Sequence, residues 1–146
     1  MAEGILRTLL PVEIAGSVEV VSAGTGAQDG TPATPLAVAT AAAQGIDIVN
    51  HRSAGLTAGL ALESDLILCM EPEHRERVIA LAPEAAPRTH VITARGSDGG
   101  LNPGHGIADP IGAGTETYQD TFHRIRSHLL RWIPEIREAV ERRERV

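Results

Sequence analysis

Cysteine and aromatic residues are scarce in this sequence, and long apolar runs are absent. Cys69 is the only cysteine among 146 residues, so the chain can form no internal disulfide and no cysteine-rich metal site. Aromatic residues make up only 2% of the chain, so the core must be mainly aliphatic. No apolar run reaches the roughly 18 residues that cross a bilayer. We therefore expect a cytoplasmic protein without membrane contact, whose residues 1–146 form one domain.

Positive charge is also in short supply. The 13 basic residues are outnumbered by 19 acidic ones, and the resulting net charge of −6 disfavours attraction to nucleic-acid phosphates. The six histidines are scattered without the spacing that a zinc protease needs. Gly24, Gly26 and Gly30 miss the dinucleotide-binding spacing by one residue, so their loop is interpreted as a turn. We expect no nucleic-acid partner, no metal and no cofactor.

The sequence does contain alternating helical and strand-like segments. Thr34 before Pro35, with Gly45 further on, are typical start and stop signals of a helix. A continuous apolar run at 65–70 predicts a strand buried on both faces. In chain order we predict a helix at 1–10, a strand at 17–22, helices at 36–44 and 57–62, a strand at 65–70, a helix at 73–81, a strand at 89–93, a loop at 94–108 and a long amphipathic helix at 118–136, which Pro134 should kink or split.

This order of elements predicts an α/β layer fold with a mainly parallel sheet. Ligands of such folds bind outside the carboxyl ends of the strands. Here those ends are the loops after Ser22, Met70 and Thr93. Asp109 follows the last of these loops, so an acidic side chain is expected near the site.

The segment from Cys69 to Arg75 formally matches C-x5-R, the signature of cysteine phosphatases. A phosphate cradle needs converging backbone N–H groups and a positive field that lowers the pKa of the thiol. This segment has no glycine, and Glu71 and Glu73 would repel both a thiolate and a phosphate. Cys69 is therefore interpreted as a buried strand residue and not as a nucleophile.

Several short motifs along the chain resemble those of the low-molecular-weight protein tyrosine phosphatases, in particular the bacterial type. The opening MAEGILR is similar to the segment that follows the family's nucleophile loop, C-x-G-N-x-C-R-S-P. The further matches, in the family's order, are Ser22-Ala23-Gly24, Gly45-Ile46-Asp47 before His51-Arg52-Ser53, the run at 65–70 and Asp109-Pro110.

This resemblance implies a three-layer α/β/α fold with a four-stranded parallel sheet. It also implies two-step hydrolysis of a phosphorylated protein or a small aryl phosphate through a cysteinyl-phosphate. Asp109 matches the family's general acid, and Ser22 and His51 match polar residues that hold the phosphate loop. By this resemblance the chain starts after the first, central strand and the nucleophile loop. It therefore has no nucleophile and should be inactive alone.

Two alternatives remain open in the sequence. Ile111-Gly112 follows Asp109-Pro110, where tyrosine-specific members carry aromatic residues that stack on the substrate ring. This difference also fits a protein-arginine phosphatase. The missing nucleophile also fits a noncatalytic relative that uses the remaining surface to bind a partner.

Overall fold

A computed structural model describes residues 1–26, 28–95 and 104–146. The predicted loop at 94–108 therefore lies partly outside the described residues. The described helices are α1 (Ala2–Leu9), α2 (Val12–Ala15), α3 (Pro35–Ala43), α4 (Ala58–Glu63), α5 (Pro72–Leu81) and α6 (Thr115–Glu144), with 3₁₀ helices at Pro83–Arg88 and Ile92–Ala94; the strands are β1 (Ile67–Cys69) and β2 (Thr89–Val91).

Local signals set the starts of α3 and α4. The hydroxyl of Thr34 accepts a hydrogen bond from the backbone N–H of Ala37 at 3.3 Å, and Pro35 occupies the first helical turn. The hydroxyl of Thr57 accepts in the same way from Leu60 N–H at 3.1 Å. Gly45, just after α3, has a φ of +77°, which favours glycine. These predicted helix boundaries are confirmed.

The two strands pair in parallel, with Ile67 opposite Thr89 and Cys69 opposite Val91. The chain crosses from β1 to β2 through α5 and the first 3₁₀ helix. Successive residues of β1 contact different clusters, since Leu68 packs with the cluster of α1, α3 and α6, and its neighbour Ile67 with that of α4 and α5. Helices therefore cover both faces of a parallel sheet, which confirms the predicted three-layer α/β/α class.

The strand predicted at 17–22 is wrong. These residues belong to no strand in the described part of the chain, and the first pairing beyond them is an isolated parallel bridge between Gly24 and Gly55. A strand needs a neighbour for its backbone groups, and the described residues provide none here. Val20 is nevertheless buried, as the apolar pattern requires.

Helix α6 extends beyond the predicted 118–136 at both ends, and Pro134 does not split it. The 30-residue helix runs through this proline, which has no N–H to donate to the carbonyl of Leu130. Leu130 is exposed, so water can satisfy that carbonyl. The buried face of α6 carries Phe122 and Trp132, which anchor the main core. Among the residues that the structure describes, no helix is both long and apolar enough to span a bilayer.

Candidate active site

Ser22 and His51 meet at the carboxylate of Glu3. Oε2 of Glu3 accepts a hydrogen bond from Oγ of Ser22 at 2.9 Å and lies 3.0 Å from Nδ1 of His51. Oε1 of Glu3 accepts from Nη2 of Arg7 at 2.8 Å, and the same Nη2 donates to the carbonyl of Val20. The Glu3 side chain is only 13% exposed, so this carboxylate is partly desolvated and depends on its partners. We call Glu3, Arg7, Ser22 and His51 the Glu3 cluster.

Helix α1 reaches this position because Gly4 has no side chain. A Cβ at Gly4 would lie 3.0 Å from the side chains of both Ile46 and Ile48. Helix α1 therefore packs closely on the segment from Ile46 to Ile48. His51 lies in the turn that follows this segment, where its backbone N–H donates to Ile48 O at 3.1 Å. Glu3 lies in the first turn of α1, where the helix dipole favours a negative charge.

The loop after Ser22 is held by the segment around His51. Gly24 donates to the carbonyl of Ala54 at 2.9 Å, and Oδ1 of Asp29 accepts from the N–H of Gly55 at 2.7 Å. Arg77 of α5 donates to the carbonyl of Thr25 at 3.3 Å. The described part of the glycine-rich segment is thus a turn that these hydrogen bonds hold in place, in agreement with its interpretation from the sequence.

Asp109 lies on a different segment, at the carboxyl ends of both strands. The N–H of Ile107 donates to Met70 O at 2.7 Å, and that of Gly104 donates to Thr93 O at 3.3 Å. Asp109 is exposed, and its Oδ1 accepts from the N–H of Ile111 at 3.0 Å, which orients the carboxylate. The loops after Met70 and Thr93 therefore meet, as predicted. Among the described residues, no hydrogen bond or ion pair joins Asp109 to the Glu3 cluster.

Cys69 lies in β1 and points into the cluster beneath α4 and α5. It is 5% exposed, and burial raises the pKa of its thiol to about 11, an effect that the charge of Arg75 only partly offsets. Arg75 belongs to α5 and donates through Nε to the carbonyl of Thr89 at 2.9 Å. The C-x5-R match is thus a strand followed by a helix, without a loop that could hold phosphate.

Glu3 carries no signal of a functional role in the sequence, although MAE is part of the family resemblance. Its local signal was an acidic residue four positions before Arg7 on a helix. The meeting with Ser22 and His51 depends on tertiary packing and has no local signature. No group of three or more potential metal ligands occurs within the described ranges.

Comparisons with known proteins identify the family and the fold of this chain. The model of the family "Low molecular weight phosphotyrosine protein phosphatase" matches residues 1–143. The probable low molecular weight protein-tyrosine-phosphatase EpsP of Ralstonia nicotianae is 34% identical over 137 residues, which cover 94% of this chain and 86% of EpsP. The tyrosine phosphatase Wzb from Escherichia coli K30, solved with sulphate, superposes with a TM-score of 0.76 at 27% identity, covering 92% of this chain and 87% of Wzb.

An arginine phosphatase has the same fold. YwlE from Geobacillus stearothermophilus superposes with a TM-score of 0.77 at 26% identity, covering 94% of this chain and 83% of YwlE. The family match extends over nearly the whole chain and does not depend on any single motif. The chain therefore belongs to the low molecular weight phosphotyrosine protein phosphatase family.

Proposed function

We propose that this chain forms the acid side of a phosphatase site that works through a cysteinyl-phosphate. Asp109 is the general acid, and the cysteine and arginine that bind phosphate come from polypeptide outside these 146 residues. The observation that carries the proposal is the exposed Asp109 carboxylate, on a segment bonded to the carboxyl ends of both strands. Ligands of parallel α/β folds bind at that edge of the sheet.

The reaction has two steps in this proposal. A thiolate attacks phosphorus, the bond to the leaving group breaks, and Asp109 gives its proton to the leaving atom. Asp109, now ionised, then takes a proton from a water molecule that attacks the cysteinyl-phosphate and releases inorganic phosphate. A cysteine-to-serine variant of the arginine phosphatase YwlE, with a TM-score of 0.78 at 25% identity, carries a phosphorylated active-site serine, which supports such an intermediate.

The described thiol is unsuited to this chemistry. Cys69 is buried and its pKa is raised, so almost none of it is thiolate near neutral pH. Strand β1 pairs with β2 on one edge and with no strand on its other edge in the described part of the chain. That free edge suits a further strand that delivers a nucleophile loop. The 146-residue chain alone is therefore expected to be inactive.

The substrate is proposed to be a phosphorylated protein, with phosphotyrosine and phosphoarginine as its two candidate groups. Ile111 is 68% exposed beside Asp109, so it offers an aliphatic contact where an aromatic residue would stack on a phenol ring. The solved structures that share the fold of this chain include both a tyrosine phosphatase and an arginine phosphatase. We also propose a cytoplasmic location, because the single cysteine needs no oxidising compartment.

Restoring the nucleophile tests the proposal. The rate of p-nitrophenyl phosphate hydrolysis is measured for the 146-residue chain and for an extended form. In the extended form, a strand and a loop of the pattern C-x-G-N-x-C-R-S-P precede Met1. We expect activity only in the extended form; it is lost when serine replaces the first cysteine of the loop, which five residues separate from the arginine, and it is kept in Cys69→Ser. Hydrolysis by the 146-residue chain that disappears in Cys69→Ser would overturn the proposal. Tyrosine- and arginine-phosphorylated peptides then identify the substrate.

A noncatalytic binding module is the second candidate, favoured by the buried state of the one thiol. It requires the 146-residue chain to be a stable, compact protein. Cooperative thermal unfolding together with no hydrolysis by the extended form would favour it. Aggregation or noncooperative melting of the chain alone would count against it.

A further inference from the structure

We propose that Thr93 and Gly106 together position the general acid, and this inference rests on the proposed role of Asp109. The hydroxyl of Thr93 accepts a hydrogen bond from the backbone N–H of Gly106 at 2.9 Å. This contact joins the end of β2 to the segment that carries Asp109. Both residues are positioning residues, since neither would touch the substrate.

Thr93 has little freedom to move. It lies in the 3₁₀ helix that follows β2 and is only 4% exposed. Its carbonyl accepts from Gly104 N–H while its hydroxyl accepts from Gly106 N–H, so one residue fixes two points of the loop. Valine at this position would keep the shape of the side chain but leave the N–H of Gly106 without its acceptor.

Gly106 allows the loop to approach β1 closely. Its φ is +85°, and a Cβ there would lie 2.4 Å from Met70 O. The next residue, Ile107, donates to the same Met70 carbonyl at 2.7 Å and buries its side chain in the main core. Residues 104–107 are therefore bonded to the ends of both strands through Met70 and Thr93.

The bonded segment at 104–107 ends two residues before Asp109, so a shift of this segment displaces the carboxylate. A general acid must be within about 2.6–3.2 Å of the atom that it protonates. A misplacement of about 1 Å can reduce a rate on the order of 100-fold. Loss of the Thr93 acceptor should therefore impair proton transfer more than substrate binding.

The test measures how the rate depends on the leaving group, using the extended enzyme defined above. Phenyl phosphate has a poor leaving group that needs an acid, whereas 2,4-dinitrophenyl phosphate has a good one that does not. Thr93→Val should reduce kcat/KM for phenyl phosphate by roughly 10- to 100-fold and that for 2,4-dinitrophenyl phosphate much less, because kcat/KM includes no step after the leaving group departs. Thr93→Ser keeps the acceptor and should restore most of the activity.

Thr89→Val is the matched control. Thr89 is also a buried threonine of the β2 region, but its hydroxyl donates to the carbonyl of Ala85 at 2.7 Å, away from the acid segment. Thr89→Val should lower stability, and any change in kcat/KM should be the same for both substrates. If Thr93→Val does not fold, Gly106→Ala disturbs the same contact from the other side and should give the same selective loss.

The controls separate the two proposals. If Asp109→Ala lowers kcat/KM equally for both substrates, the general-acid role itself is wrong. If Asp109→Ala lowers kcat/KM selectively for phenyl phosphate but Thr93→Val lowers it equally for both substrates, only the positioning inference is overturned. In the 146-residue chain, hydrogen exchange at the Gly106 amide should also accelerate at least about tenfold in Thr93→Val relative to Thr89→Val. Unchanged exchange there would overturn the inference without any activity assay.

Discussion

Nδ1 of His51 lies 3.0 Å from Oε2 of Glu3, an oxygen that also accepts a hydrogen bond from Ser22. The two residues that the family resemblance links to the phosphate loop are thus organised by a third, which lies in the first turn of α1. This carboxylate joins α1, the segment after α2 and the turn before α4. Its removal should therefore affect both stability and the geometry of the site.

Glu3→Ala is expected to lower the free energy of unfolding by about 1–3 kcal/mol, because Ser22 and His51 lose a partly desolvated acceptor. Glu3→Gln keeps one acceptor oxygen and should lose less. Glu19→Ala, in the exposed part of the segment before Ser22, is the control and should change stability by under about 0.5 kcal/mol. Urea unfolding of the three variants measures this order, and equal losses in Glu3→Ala and Glu19→Ala would contradict it.

Cys69 should make stability depend on alkaline pH. Burial raises the pKa of the folded thiol from 9.0 to about 11, so the folded state favours the neutral thiol. This contribution is fully present below pH 9 and is lost as the pH rises through about 11. The free energy of unfolding should thus fall more steeply between pH 9 and 11 in the wild type than in Cys69→Ala. Parallel curves would show that the thiol titrates normally.

His90 should act in the opposite pH range. Burial and the charges of Arg75 and Arg95 lower the pKa of its imidazole below 6.5, while its ring lies 5.1 Å from that of Trp132. A lowered folded pKa stabilises the protein above pH 6.5 and destabilises it as the pH falls through the folded value. Thermal unfolding at pH 8.0 and 5.5 should therefore show a larger decrease for the wild type than for His90→Gln. An equal decrease of thermal stability in the wild type and in His90→Gln would show that His90 does not cause the pH dependence.

Local signals explain which elements were predicted from the sequence. Thr34 and Pro35 act within one helical turn of themselves, so the start of α3 follows directly from the sequence. Residues 17–22 have strand-like composition, but a strand depends on a paired neighbour, which lies outside local sequence information. The bond between Thr93 and Gly106 likewise joins two segments through the tertiary fold.

The last prediction uses two glycines of the same loop as a matched pair. Gly104 and Gly106 have nearly equal φ values of +87° and +85°, so alanine at either pays a similar cost of backbone strain, about 1–3 kcal/mol. Their surroundings differ, because a Cβ at Gly104 meets no atom of the described residues within 4 Å, whereas one at Gly106 meets Met70 O at 2.4 Å and the Cα of Glu71 at 2.9 Å.

Gly106→Ala should therefore destabilise the protein by about 1–3 kcal/mol more than Gly104→Ala, since backbone atoms must move to relieve the overlap. Chemical denaturation of both variants gives this difference directly, and the shared strain cancels in the comparison. The added displacement should also speed exchange of the Ile107 amide, whose acceptor is the same Met70 carbonyl. Equal destabilisation by the two variants would mean that the loop relaxes away from β1 at no cost, and that Gly106 is not needed for the close approach.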